Sequence, residues 1–157
     1  MKKIVYLHGL ESGAGGPKVS FLAEKGMVYA PNMDYVTLDL QEFILTLGMP
    51  DLIIGSSIGG YVADIIGSQL GVDVLLFNPA LHSRTVISEF WKGFNEDYGS
   101  QKYKRTIVLG TEDKVINPEL TKNLWSVKGN EAIHDEVEGM GHRTPLDVFI
   151  NMYNKHA

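Results

Sequence analysis

The sequence predicts a three-layer α/β/α sandwich built on a minimal, mostly parallel six-stranded sheet, and two observations carry that expectation. Short runs rich in Ile, Val and Leu alternate with helix-length segments along the chain, the order that parallel strands joined by crossover helices require. The runs are also apolar without interruption, as strands covered on both faces are. Strands are expected at residues 4–7, 27–30, 52–54, 74–77, 106–109 and 132–137, and helices at 17–25, 37–47, 58–70, 118–125 and 145–154. Pro17, Pro118 and Pro145 suit first-turn positions, where a missing N–H costs nothing. Asn117 and Thr144 stand where a side-chain oxygen caps the first donors, and Gly26, Gly48 and Gly71 suit the ends. The 157 residues are expected to form one domain, 1–157, with no repeat or linker.

Composition excludes several kinds of function. There is no cysteine, so disulfides, a thiolate nucleophile and Cys-based zinc sites are ruled out. A formal charge of −5 disfavours nucleic acid as a partner. No window reaches the roughly 20 apolar residues that cross a bilayer. After Met1-Lys2-Lys3 only Ile4 to Leu7 is apolar before His8, too short for a secretory signal, and a cytoplasmic location is expected.

Residues 55–59 read Gly-Ser-Ser-Ile-Gly between the apolar run Leu52-Ile53-Ile54 and an amphipathic-looking stretch from Tyr61 to Leu70. A hydroxyl that attacks a carbonyl must be lifted clear of the sheet, and a sharp strand-to-helix turn flanked by glycines does this. Ser57 is the residue so presented. A serine needs a base, and a histidine oriented by a carboxylate suits the task because it accepts the proton and then returns it to the leaving group. His142, in Gly139-Met140-Gly141-His142, follows the sixth strand, and the flanking glycines are expected to let the backbone aim its ring across the cleft. Asp113 follows the fifth strand, with Glu112 as its rival. His134 and His156 read as structural or solvent-facing.

Functional groups of an open parallel sheet gather in the loops at the carboxyl ends of its strands. His8-Gly9, Ser57, Asn78 to Ala80, Asp113 and His142 all fall there. Charge on a tetrahedral intermediate calls for preorganised backbone donors. The Ile58 amide is one candidate for this oxyanion hole, the Leu10 amide is the other, and His8 is expected to brace its loop. The run Gly9 to Gly16 before Pro17-Lys18 is not a phosphate loop, because Val19 follows the lysine and the glycine spacing differs. In residues 82–103, Val86, Ile87, Phe90, Trp91 and Phe94 recur at helical spacing. That stripe reads equally as ordinary core or as a short cap giving the cleft an apolar wall. Arg84 and Arg143 are either solvated charges or contacts for an anionic substrate.

Taken together, these segments resemble the α/β-hydrolase superfamily, whose triads run in the chain order Ser, Asp, His, and within it the small bacterial YqiA-like esterases. The similarity runs nearly end to end. It rests on Tyr6-Leu7-His8-Gly9 with Ser12 and Lys18, on Gly55-Ser56-Ser57-Ile58-Gly59-Gly60-Tyr61, on Asn78-Pro79-Ala80, on Asp113 with Val115, and on His142-Arg143. The chain departs from that pattern in an extra glycine between Leu10 and Lys18, in Ile58 where Leu or Met is usual, and in Gly141 where the family often has an acidic residue. The resemblance implies a hydrolase lacking the first two antiparallel strands of larger relatives, with Ser57, Asp113 and His142 as its triad. The expected activity is cleavage of small carboxylic esters or thioesters through an acyl-serine, with no metal or organic cofactor. Two other functions share these residues: acyl transfer to an alcohol or amine, and non-catalytic ligand binding or interaction on the same scaffold.

Overall fold

The computed structural model describes residues 1–10, 12–80, 102–127 and 132–157. The cap segment up to residue 101, with Arg84 and the stripe from Val86 to Phe94, lies outside the described residues. In chain order the elements are β1 (Lys3–Leu7), α1 (Pro17–Ala23), β2 (Met27–Tyr29), α2 (Leu40–Leu47), β3 (Leu52–Ser56), α3 (Ile58–Leu70), β4 (Val74–Phe77), β5 (Arg105–Gly110), α4 (Pro118–Val127), β6 (Ala132–Val137) and α5 (Leu146–His156). The strands form one sheet in the order β2-β1-β3-β4-β5-β6, every pair parallel. Strand order reverses at β1, with β2 on one side and β3 on the other, and the carboxyl ends there are where such sheets bind ligands.

Strand alternation divides the core into two layers. Val5, Leu7, Ile53, Val74, Leu76, Ile107 and Leu109 face α2 and α3. Ile4, Tyr6, Leu52, Ile54, Leu75, Phe77 and Val108 face α1 and α5, where Leu22, Phe149 and Tyr153 pack. Phe149 is the hub of this second layer, with Tyr6, Phe21 and Phe77 rings 6.0, 6.3 and 4.9 Å from its own.

Several local expectations change in the folded chain. The helix at 37–47 begins only at Leu40, because Asp39 caps it by accepting from the Glu42 amide at 3.0 Å, while Asp34 holds the preceding turn through the Val36 amide. Asn117 caps α4 as expected, accepting from Glu119 N at 2.9 Å, but Thr144 caps nothing and Pro145 stands before the first turn of α5. The stretch from Tyr61 to Leu70 is not amphipathic in use: Ile58 through Ser68 are all buried. Asp64 on that helix meets Arg105 Nε at 2.6 Å and the Tyr103 hydroxyl at 2.8 Å, a buried pair that costs more to break than it contributes. Among the described residues no helix is long and apolar enough to cross a membrane.

At the far edge, Asp135 of β6 holds the end of α5 through Lys155 Nζ at 2.7 Å and His156 Nε2 at 2.8 Å. The Lys155 bond, then that of His156, keeps the carboxyl below the usual carboxylate range against the opposing effect of burial. A depressed folded-state pKa means stability that is present above the unfolded value and is lost as pH falls through the folded one. Asp135→Asn is therefore expected to lower the melting temperature by about 1–2 °C at pH 7. In thermal scans against pH the difference from the parent should close as the pH falls below the ordinary carboxylate range and the folded-state carboxyl takes up its proton.

Candidate active site

Ser57 lies between the last residue of β3 and the first of α3, at φ 54° and ψ −121°, a strained conformation for a residue with a side chain. Backbone bonds hold it there: its amide donates to the Phe77 carbonyl at 3.0 Å, and its carbonyl accepts from the Gly60 and Ala80 amides, each at 3.0 Å. The flanking glycines serve close approach more than turn dihedrals. A Cβ at Gly55 would stand 2.3 Å from the Gly59 carbonyl oxygen, and one at Gly59 would stand 2.3 Å from that of Leu7. Three backbones meet here more closely than any side chain permits.

His142 Nε2 is 3.0 Å from Ser57 Oγ, and its Nδ1 is 2.8 Å from Asp113 Oδ2. The other carboxylate oxygen of Asp113 accepts from the Val115 and Ile116 amides at 2.8 and 2.9 Å. With the acceptor-only carboxylate on one side, Nδ1 carries the proton and Nε2 is left to accept from the serine hydroxyl. Asp113, with its side chain fully buried, is thus the carboxylate brought to His142, in preference to Glu112. Gly139 bends the histidine loop at φ 74°. Gly141, also expected to be needed, is not: its φ is not positive and a Cβ there would meet nothing within 4 Å. His156 is committed to Asp135 and His134 lies exposed on β6.

The loop after β1 passes directly over Ser57, a Cβ on Gly9 falling 3.4 Å from that of Ser57. Buried His8 braces it as expected. Met33 N–H donates to His8 Nε2 at 2.9 Å, so Nδ1 bears the proton and donates to the Gly9 carbonyl at 2.6 Å, while the Tyr35 hydroxyl donates to the His8 carbonyl. Burial, with Tyr6 adding to it, pushes the Tyr35 phenol well above its usual range, keeping it a donor. Leu10, largely exposed, follows in a turn, and Ile58 heads α3 immediately behind Ser57, where the first amides of a helix have no carbonyl partner within it. Gly9, Leu10, Ser57 and His142 line a cleft of about 420 Å³ together with Tyr6 and Lys18.

Asn78, expected among the loops over the cleft, makes bonds there that the sequence alone does not show. Buried and at φ 42°, it donates from Nδ2 to the carbonyls of Gly141 and His142 at 3.0 and 2.9 Å, and accepts from the Gly110 amide at 2.7 Å. It ties the ends of β4 and β5 to the histidine loop. Thr144, on the cleft wall, keeps its hydroxyl oxygen buried with no protein partner. Asn78→Ala, which strands three polar groups and puts alanine at positive φ, is expected to cost about 3 kcal/mol in urea unfolding. Thr144→Val removes an unpaired buried oxygen at nearly constant shape, and the melting temperature is expected to rise by about 2 °C.

The geometry can be set beside known proteins. Residues 3–139 match the group described as "Uncharacterised protein family (UPF0227)". A search of the curated proteins finds no match. Among solved structures, a protein from Xanthomonas campestris pv. campestris, whose name places it with hydrolases of the alpha/beta superfamily, is 20% identical with a TM-score of 0.69, over 98% of this chain and 95% of the other. The Paleococcus ferrophilus monoacylglycerol lipase is 15% identical with a TM-score of 0.70, over 98% and 91%. Esterase PE8 is 14% identical with a TM-score of 0.69, over 98% and 90%. At these identities the likeness is one of fold, and the fold is that of the α/β hydrolases. By the match over most of its length, the chain belongs to the UPF0227 family, the YqiA-like group.

Proposed function

We propose that this protein is a serine hydrolase that cleaves small carboxylic esters or thioesters through an acyl-serine intermediate. The observation that carries the reading is the unbroken hydrogen-bonded chain from Ser57 Oγ through His142 to Asp113, opening into a cleft. Ser57 Oγ attacks the carbonyl carbon while His142 Nε2 takes its proton. The C–O or C–S bond then breaks, the electron pair leaves with the alcohol or thiol, and His142 returns the proton to it. A water molecule repeats the attack on the acyl-serine, gives its proton to His142, and the carboxylic acid departs as Ser57 is reprotonated. Asp113 holds the tautomer and stabilises the imidazolium.

The negative oxygen of each tetrahedral intermediate is received by the amides of Ile58 and Leu10, each worth roughly 3 kcal/mol of barrier. The strained backbone at Ser57 and the tight seat of the Gly9 loop against it support this assignment, since donors fixed in advance need no reorganisation during reaction. No cofactor enters the scheme. The names of two structural neighbours, an esterase and a monoacylglycerol lipase, are consistent with ester chemistry on this fold.

A fluorophosphonate probe is expected to add one mass increment at Ser57, located by peptide mass spectrometry. In a chain-length series of acyl esters and thioesters, Ser57→Ala is expected to lower kcat/KM by about 10⁴ or more, and Asp113→Asn by roughly 10³–10⁴. Well-folded protein that takes up no label at Ser57 would end the reading.

A further inference from the structure

Eleven described residues line the cleft, and their charge runs against that of the molecule. Across the chain acidic residues outnumber basic ones, 19 to 14, yet among the described residues the lining holds two cations, Lys18 and Arg143, and no carboxylate. Lys18 is not there to make an ion pair. Its Nζ lies 5.5 Å from the centre of the Phe149 ring, and among the described residues no carboxylate is within ion-pair distance of it. Partial burial draws its pKa below the usual lysine value, as happens to an ammonium that has lost water and gained no counter-ion.

Neutral donors surround the same space. The Ser12 hydroxyl stands 3.9 Å from the point where a Cβ of Gly9 would sit, and Ser57 Cβ stands 3.4 Å from that point, so only the glycine separates the two serines. Tyr6 forms part of the wall, its phenol pushed up by burial and kept protonated. Pairing of a desolvated point charge with an arginine fork and hydroxyl donors suits the oxygens of an anion, whereas a wholly neutral ester would leave the Lys18 charge uncompensated.

We infer that the cleft holds a subsite for a negatively charged oxyacid group, a carboxylate or phosphate, carried by the substrate and received by Lys18 and Arg143, with Tyr6 and Ser12 donating to its oxygens. That the anion belongs to a substrate rests on the hydrolase reading; the subsite itself does not. A cleft of about 420 Å³ accommodates such a group together with a short acyl chain.

Binding is measured first, on Ser57→Ala protein, by calorimetric titration with glutarate and, separately, with inorganic phosphate. One of the two is expected to bind, which identifies the oxyacid, and Lys18→Gln to weaken it about tenfold or more. Lys18→Met, which keeps an apolar stem against Phe149, should do the same. In the parent, mono-p-nitrophenyl glutarate is then compared with p-nitrophenyl valerate, and the ratio of their kcat/KM values is expected to fall about tenfold in Lys18→Gln. The inference is overturned if neither anion binds, or if both Lys18 variants leave binding unchanged. Lys18-dependent anion binding with no turnover of any ester supports the subsite and removes the hydrolase reading. Turnover of neutral ester with no anion binding removes the subsite alone.

Discussion

The site depends on a contact that only missing side chains allow. Gly59 presses its Cα so close to β1 that an added methyl would come within 2.3 Å of the Leu7 carbonyl oxygen, and Gly55 approaches Gly59 just as closely. A single Cβ at either position would push α3 away from the sheet, and Ser57 rides on the turn between them. Because the same contact sets the height of the Gly9 loop over Ser57, the nucleophile candidate and the proposed oxyanion donors are positioned together. Elasticity is low in this region: β1 and β3 are flanked on both sides by other strands, and α3 is buried from Ile58 to Ser68. Displacing one backbone therefore means displacing the core.

The second half of the constellation reaches the first through a different kind of bond. Ser57 and His142 are 85 residues apart, on strands that are not neighbours, and nothing in β6 itself fixes the height of the loop that follows it. Asn78 supplies that connection. It emerges from β4, next to β3, and one amide group binds the backbone at the ends of two further segments, Gly110 of β5 and Gly141-His142. A hydrophobic contact would resist separation but not sliding, whereas three directional bonds from one planar group fix register. The 3.0 Å reach from His142 to Ser57 follows from this clamp as much as from Asp113.

Strands and the elbow were legible in the sequence because they depend on local pattern: uninterrupted Ile, Val and Leu mark strands covered on both faces, and glycines bracket a serine. Parallel topology put the five loops, and with them Ser57, Asp113 and His142, at one end of the sheet, while the choice of these three as a set came from the elbow motif, their chain order and the family resemblance. What was not legible depends on tertiary packing. Polar Asp64 and Ser68 make α3 look two-faced, but Arg105 and Tyr103 donate to Asp64 Oδ1 and the Ile65 carbonyl accepts from Ser68, and the helix is buried nearly all round. Thr144 before Pro145 has the form of a cap, yet the chain enters α5 along a path that leaves the hydroxyl facing no donor. Asn78 was legible as a residue of the cleft loops but its clamp was not, because its three partners lie 32 to 64 positions away.

Among the described residues two histidines sit at this end of the sheet, and the difference between them is decided by what meets the second ring nitrogen. In His8 a backbone amide, Met33 N–H, donates to Nε2, and an amide is donor only, so this nitrogen is committed as an acceptor and the ring serves as a strut. In His142 Nε2 faces a hydroxyl, and Nδ1 faces a carboxylate. Gaining a proton there exchanges an accepted bond for a donated one and is stabilised by Asp113, so the ring can cycle without losing its place. The same residue type is thereby made structural in one loop and, under the proposed reaction, a proton carrier in the other. A ring whose second nitrogen already accepts from an amide has no capacity left for a serine, which is why the loop after β1 contributes backbone donors to the scheme and the base comes from the loop after β6.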